Sequence, residues 1–154
     1  MKEEYCEVRQ LTDRAEKMRF MEVCDAAFTI SVIGRDSFPE LLDKIDRKAI
    51  MLGLYTAEEP AGYAAFYAND REGRKAFLTL FCIRPERQRK HLGSLLMEKC
   101  LLVAGEQGMH SMGLEVLVED DGPIAFYRRM GFEKTGQGKP GFLRMERKVS
   151  FREE

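Results

Sequence analysis

The stretch from Ala76 to Ile83 is almost continuously apolar and stops at Pro85. That pattern predicts a central strand buried on both faces, ended where proline removes a ladder donor. A basic segment follows, Arg84-Pro85-Glu86-Arg87-Gln88-Arg89-Lys90-His91-Leu92-Gly93-Ser94. Beyond it Leu92, Leu95, Leu96, Cys100 and Val103 recur at helical spacing until a stop near Gly108. A buried strand feeding a long helix through a basic junction constrains the whole chain, because every other element must pack around that pair.

The other elements follow from periodicity and turn chemistry. Tyr5 to Gln10 alternates as a first strand, and Thr12 offers an N-cap to a helix carrying Ala15, Met18, Met21 and Val23. A second helix fits Phe38 to Ile45, with Pro39 at an early position where its missing N–H costs nothing. Between the two lies a loop, Ser31 to Arg35. Ala49 to Tyr55 and Gly62 to Ala68 read as a hairpin joined by Glu58-Glu59-Pro60. Met112, Leu114, Val116 and Val118 alternate along a further strand. A short helix runs from Pro123 to Gly131, and strands at Phe132 to Thr135 and Phe142 to Val149 flank Gly136 to Gly141. The order β-α-α-β-β-β-α-β-α-β-β implies an α/β (α+β) fold, a central sheet with helices on both faces.

A length of 154 residues suits one domain, residues 1–154, with no second core. Composition narrows the function. Lys and Arg number 25 against 26 Asp and Glu, so no global field draws the chain to DNA or to an anionic membrane. No apolar run approaches the ~20 residues of a membrane helix, and the start has no signal-like core, which leads to a cytoplasmic address. Four cysteines, at 6, 24, 82 and 100, show no close pair and sit among apolar neighbours. They read as reduced and mostly buried, with no metal site.

Anion binding must then be local. Helix N-termini carry about half a positive charge and normally attract Asp or Glu, yet Arg87, Arg89, Lys90 and His91 crowd this one. The arrangement repels itself unless an anion joins it, and phosphate on backbone N–H groups is the obvious candidate. A solvated basic loop is the plainer alternative.

Gln88-x-x-His91-x-Gly93 after an apolar strand resembles the Arg/Gln-x-x-Gly-x-Gly/Ala signature of the GNAT superfamily of N-acetyltransferases. Ala125-Phe126-Tyr127-Arg128-Arg129-Met130-Gly131-Phe132 is similar to that family's second block, and the likeness spans about residues 50 to 135. The resemblance implies a mixed, mostly antiparallel sheet of six to seven strands and acetyl-CoA as cosubstrate, without a metal. It places the diphosphate on the amides of Arg89, Lys90, His91, Leu92, Gly93 and Ser94, with Gln88 beside them. Pantetheine would run along Phe81, Cys82 and Ile83 like an added strand, with a strand N–H near Cys82 or Ile83 holding the oxyanion. Two positions depart from the pattern. His91 stands at the first glycine, which would cost on the order of 1 kcal/mol were positive φ required there. Asp120 stands at the usual asparagine, and an ionised carboxylate accepts hydrogen bonds without donating them. Asp120 also fits the simpler role of complementing the dipole of the helix after it.

Acyl transfer to an amine needs the amine neutral, and at pH 7 only about one part in a thousand of an alkyl amine is. Glu115, in the apolar run Leu114-Glu115-Val116, is the candidate base, because a mid-strand carboxylate is expensive unless paired, solvated or functional. It matches the proposed base of the ribosomal-protein alanine N-acetyltransferases, which the sequence resembles in its Leu-Glu-Val. A water chain is the other option. Tyr127 matches the family tyrosine directed at the coenzyme sulfur and is the candidate general acid. A nucleophilic role for Cys82 finds no partner histidine.

The acceptor is then a small-molecule amine or a peptide amino terminus, with Phe28 to Phe38, including Arg35 and Asp36, flanking its cleft by analogy. Homodimerisation through the sheet stays open. Two other functions compete: an acyl-CoA-binding regulatory module with lapsed catalysis, and a nucleic-acid binder resting only on Arg84 to Lys90, which lacks interleaved aromatics.

Overall fold

The computed structural model describes residues 5–88 and 91–150. Seven strands form one sheet in the order β1-β2-β3-β4-β5-β7-β6. They are β1 (Cys6–Leu11), β2 (Ile50–Thr56), β3 (Glu59–Tyr67), β4 (Lys75–Ile83), β5 (Ser111–Leu117), β6 (Glu133–Gln137) and β7 (Phe142–Lys148). The helices are α1 (Arg14–Val23), α2 (Phe38–Lys48), α3 (Leu92–Glu106) and α4 (Asp121–Arg129). β1–β2, β2–β3, β5–β7 and β6–β7 pair antiparallel, while β4–β5, the pair spanned by α3, is parallel. This is the mixed, mostly antiparallel sheet that the resemblance implies.

The chain forms two compact units. The first comprises the described residues up to Phe66 together with Leu80–Cys100. Its core joins Phe20, Met21 and Cys24 of the α1 region and Phe38, Leu42 and Ile45 of α2 to Met51, Tyr55, Tyr63, Ala65, Leu80 and Cys82 on the strands. Burial of each large apolar side chain is worth about 1.5–3 kcal/mol. The second unit comprises Tyr67–Thr79 and the described residues from Leu101 on. There Ala76 and Leu78 face the same side as Met112 and Leu114 across the parallel pair, and all four are buried.

Several boundaries differ from the sequence reading. The N-cap of α1 is Asp13, whose carboxylate accepts from Glu16 N at 3.2 Å, and not Thr12. An Asx cap outcompetes the threonine one residue earlier because its carboxylate reaches the third N–H of the helix. Within α1 the buried residues are Lys17, Phe20 and Met21, whereas Ala15 and Val23 are exposed. Lys17 is buried because its ammonium bonds Asp46 Oδ1 at 2.8 Å and Asp46 O at 3.3 Å, a partner that spacing along α1 does not reveal.

Helix α2 runs one turn past Ile45, with Arg47 and Lys48 favourably placed at its C-terminus. The β2–β3 turn is Ala57-Glu58, both at positive φ (50° and 65°), so Glu59 and Pro60 belong to β3. Two left-handed residues match the right-handed strand twist in a two-residue hairpin. Helix α4 starts at Asp121 and β5 stops at Leu117, leaving Val118 52% exposed. Leu95 is 40% exposed on α3. The loop between β6 and β7 narrows to 138–141.

The strand buried on both faces is not β4. From Met51 to Thr56 and from Pro60 to Phe66, β2 and β3 are buried throughout. In β4 the side chains of Ala76, Leu78, Leu80 and Cys82 are buried, while Phe77, Thr79 and Phe81 are only half-buried. Apolar composition reports what can be covered, not which face is covered.

Candidate functional site

The basic junction lies in the first unit, and its geometry is set by hydrogen bonds from side chains that the sequence presents as free cations. On leaving β4, Arg84 donates its backbone N–H to Ala61 O at 2.7 Å. Its guanidinium reaches Pro60 O at 3.0 Å and Glu86 Oε2 at 2.5 Å. A short 3-10 turn, Pro85–Arg87, then delivers Arg87 Nη1 to Thr56 Oγ1 at 2.9 Å. Gln88 folds back so that Nε2 donates to Ile83 O at 3.0 Å. Arg89 and Lys90, two of the proposed diphosphate residues, lie outside the described residues. His91 is exposed, and its carbonyl accepts Leu95 N at 2.9 Å as α3 begins. Leu92 is buried, whereas Gly93 and Ser94 are half-buried.

Helix α3 is unlike its counterparts at this end. Glu16 in α1, Glu40 in α2 and Asp121 in α4 each place a carboxylate in the first turn, but the first turn of α3 has none. The first N–H groups of any helix lack intrahelical acceptors, and the dipole adds partial positive charge there. With no internal carboxylate, an external anion is the natural complement.

At the end of β4, Phe81 is half-buried and Cys82 and Ile83 are buried. Burial pushes the Cys82 thiol well up from its ordinary pKa, and the neighbouring Cys24 thiol adds to that. A thiol held protonated is a poor nucleophile, so Cys82 belongs to the core. Gly62 lets β3 approach this strand end: a Cβ there would stand 2.4 Å from Cys82 O. In the α1–α2 loop, Asp25 Oδ1 accepts Val32 N at 2.8 Å and Ile33 N at 3.2 Å, while Ser31 Oγ donates to Asp25 Oδ2 at 2.6 Å. Phe28 is half-buried there, and Arg35 and Asp36 are exposed.

Glu115 and Tyr127 lie in the second unit. Glu115 stands directly opposite Arg144 in the β5–β7 register, with Nη1 4.0 Å from Oε2. Its side chain is 23% exposed, so the carboxylate is both paired and partly solvated. Arg144 also donates from Nε to Glu146 Oε2 at 3.3 Å, which leaves one guanidinium between two carboxylates. Gly138 closes over this group: a Cβ there would lie 2.7 Å from Glu115 Oε2. Tyr127 is buried in α4, with its ring edge-on to Phe126 at 5.5 Å and Phe132 at 5.8 Å. Asp120 is the N-cap of α4, and its carbonyl accepts Ile124 N at 3.0 Å.

Sequence reasoning missed Thr56, Arg144, Gly62 and Gly138. Each matters through a partner distant in the chain, which local periodicity does not reveal. Among the described residues no group of three or more His, Cys, Asp or Glu could hold a metal ion.

The family model for the acetyltransferase (GNAT) family matches residues 12–132. The chain belongs to the GNAT family. An uncharacterised N-acetyltransferase of Methanocaldococcus jannaschii is 30% identical over 104 residues, which is 63% of this chain and 46% of that protein. The chain thus spans about half the length of the curated relative it matches. Among solved structures, the PaiA N-acetyltransferase of Thermoplasma acidophilum, in complex with coenzyme A, superposes with a TM-score of 0.80 at 20% identity. That match covers 94% of this chain and 99% of the other. The ribosomal-protein-S18-alanine N-acetyltransferase of Escherichia coli gives 0.77 at 17% identity and 97% coverage of both chains.

These likenesses show the GNAT fold, and acetyl-CoA is the cosubstrate of the family. The residues of this GNAT chain suit such a group: the first turn of α3 offers amides without an acid, and Phe81, half-buried at the end of β4, belongs to the same unit.

Proposed function

We propose that residues 1–154 form one N-acetyltransferase domain that transfers acetyl from acetyl-CoA to a primary amine by direct attack in a ternary complex. The acid-free first turn of α3, against acid-bearing first turns in α1, α2 and α4, carries the reading. The coenzyme supplies an activated thioester. The amides of Arg89 to Ser94 would hold its diphosphate, with Gln88 shaping the loop and the backbone of Phe81, Cys82 and Ile83 lining the pantetheine. Glu115 is the base that takes the proton from the ammonium, and Tyr127 donates one to the departing thiolate. Asp120 serves α4 as its cap.

Arg144 stands opposite Glu115 across the β5–β7 register, with Nη1 4.0 Å from Oε2. The same ion pair is what favours the second reading, a coenzyme-binding module with lapsed catalysis, since a carboxylate engaged with arginine can be purely structural. The nucleic-acid reading is weakened because Arg84 and Arg87, two of its cations, bond protein oxygens. None of the four cysteines is joined in a disulfide, consistent with the cytoplasmic address we propose. No helix among the described residues is long and apolar enough to cross a membrane. The S18-alanine activity of the Escherichia coli neighbour supports a peptide amino terminus as acceptor, alongside small amines.

Incubation with acetyl-CoA and a panel of amino-terminal peptides, polyamines and amino sugars, following free thiol, tests the proposal. It predicts turnover with at least one amine. Tight coenzyme binding with no turnover across the panel would instead support the module.

A further inference from the structure

We propose that Thr56 is a positioning residue for coenzyme binding: its buried hydroxyl holds Arg87 and so fixes the 3-10 turn Pro85–Arg87 that precedes α3. This rests on the acetyl-CoA reading above and deepens it. Thr56 is 1% exposed at the end of β2, where a hydroxyl needs a partner, and Arg87 Nη1 lies 2.9 Å from its Oγ1. Arginine has many rotamers to lose, so a half-buried arginine folded onto a buried oxygen is a constraint on the backbone that carries it.

The same hairpin makes further contacts with the loop. Arg84 bonds Ala61 O through its N–H and Pro60 O through its guanidinium, and Gly62 admits Cys82 O at close range. The tip from Thr56 to Gly62 is therefore a template for the start of the junction, with the Arg87–Thr56 bond anchoring the 3-10 turn. Arg87 acts through this tether on the amides at the start of α3. A direct phosphate contact by Arg87 would predict the opposite response to loss of Thr56, since freeing the guanidinium would preserve or raise affinity.

The experiment is calorimetric titration of the full chain with acetyl-CoA, for the parent, Thr56→Val, Thr56→Ser, Arg87→Met and the double variant Thr56→Val with Arg87→Met. Positioning predicts that Thr56→Val and Arg87→Met each weaken binding by about tenfold, and that the double variant is no weaker than either. Thr56→Ser, which keeps the oxygen, stays within about threefold of the parent, a rescue that loss of packing alone would not give. Should Thr56→Val fail to fold, Arg87→Met against Thr56→Ser decides. Parent affinity in Thr56→Val, or Thr56→Ser as weak as Thr56→Val, overturns the positioning role alone. A parent chain that does not bind acetyl-CoA overturns the underlying reading and this proposal with it.

Discussion

The basic junction after β4 and the Glu115 region of β5 both break a local rule, and they resolve the breach differently. In β5 the mid-strand carboxylate is answered inside the protein, because the β5–β7 register sets Arg144 opposite it at 4.0 Å. A partly exposed pair of this kind contributes about 0–1 kcal/mol, enough to make the position tolerable without any ligand. At the junction, Arg84 and Arg87 are tied to the β2–β3 hairpin, but the first turn of α3 receives no acid of its own. A breach the protein repairs internally is weak support for function, whereas one it leaves at a helix N-terminus points outward to an anion.

Predictions follow that contrast, beginning with the junction. Gly93→Val sets a branched side chain at the start of α3 and should weaken acetyl-CoA binding by about a hundredfold or more. Calorimetry checks this, with circular dichroism showing the fold retained; unchanged affinity would exclude the proposed diphosphate position. Glu115→Gln should lower turnover at neutral pH by roughly 10²-fold and leave coenzyme affinity nearly intact. Full turnover would assign Glu115 to the ion pair alone and erase its place in the comparison. Tyr127→Phe keeps the ring packing on Phe126 and Phe132 and removes the proton donor, so turnover should fall by roughly tenfold with affinity unchanged.

The smallest effect on binding belongs to the scaffold. Asp46→Asn leaves the buried Lys17 ammonium without its carboxylate and should cost about 2 kcal/mol of stability at pH 7, with little change in coenzyme affinity. Hydrogen bonds from Lys17 and Arg14 hold the Asp46 carboxyl below its ordinary range. Its contribution is therefore present above the unfolded value near 3.9 and is lost as pH falls through the lowered folded value. Urea titrations of parent and variant should converge in acid.

Much of this was readable along the chain. The element order and the strand–loop–helix junction follow from local periodicity, and the resemblance supplied the Tyr127 block, the fold and the cosubstrate, the last two supported by the family match and the solved structures. Long-range pairing was not readable. Lys17 looks like a surface residue until Asp46, 29 positions away, is brought beside it. Arg87 looks like a free cation crowding the start of α3 until Thr56, 31 positions away, takes up its guanidinium. The same limit explains β4, whose apolar run gave no sign that Phe77, Thr79 and Phe81 would stay half-buried while β2 and β3 took the centre of the core.

The start of α3 is the proposed diphosphate site. A crystal structure of the chain grown with acetyl-CoA tests it most directly. Diphosphate oxygens should lie within hydrogen-bonding distance of the backbone amides of Leu92, Gly93 and Ser94. Coenzyme bound with its diphosphate away from those amides would contradict it.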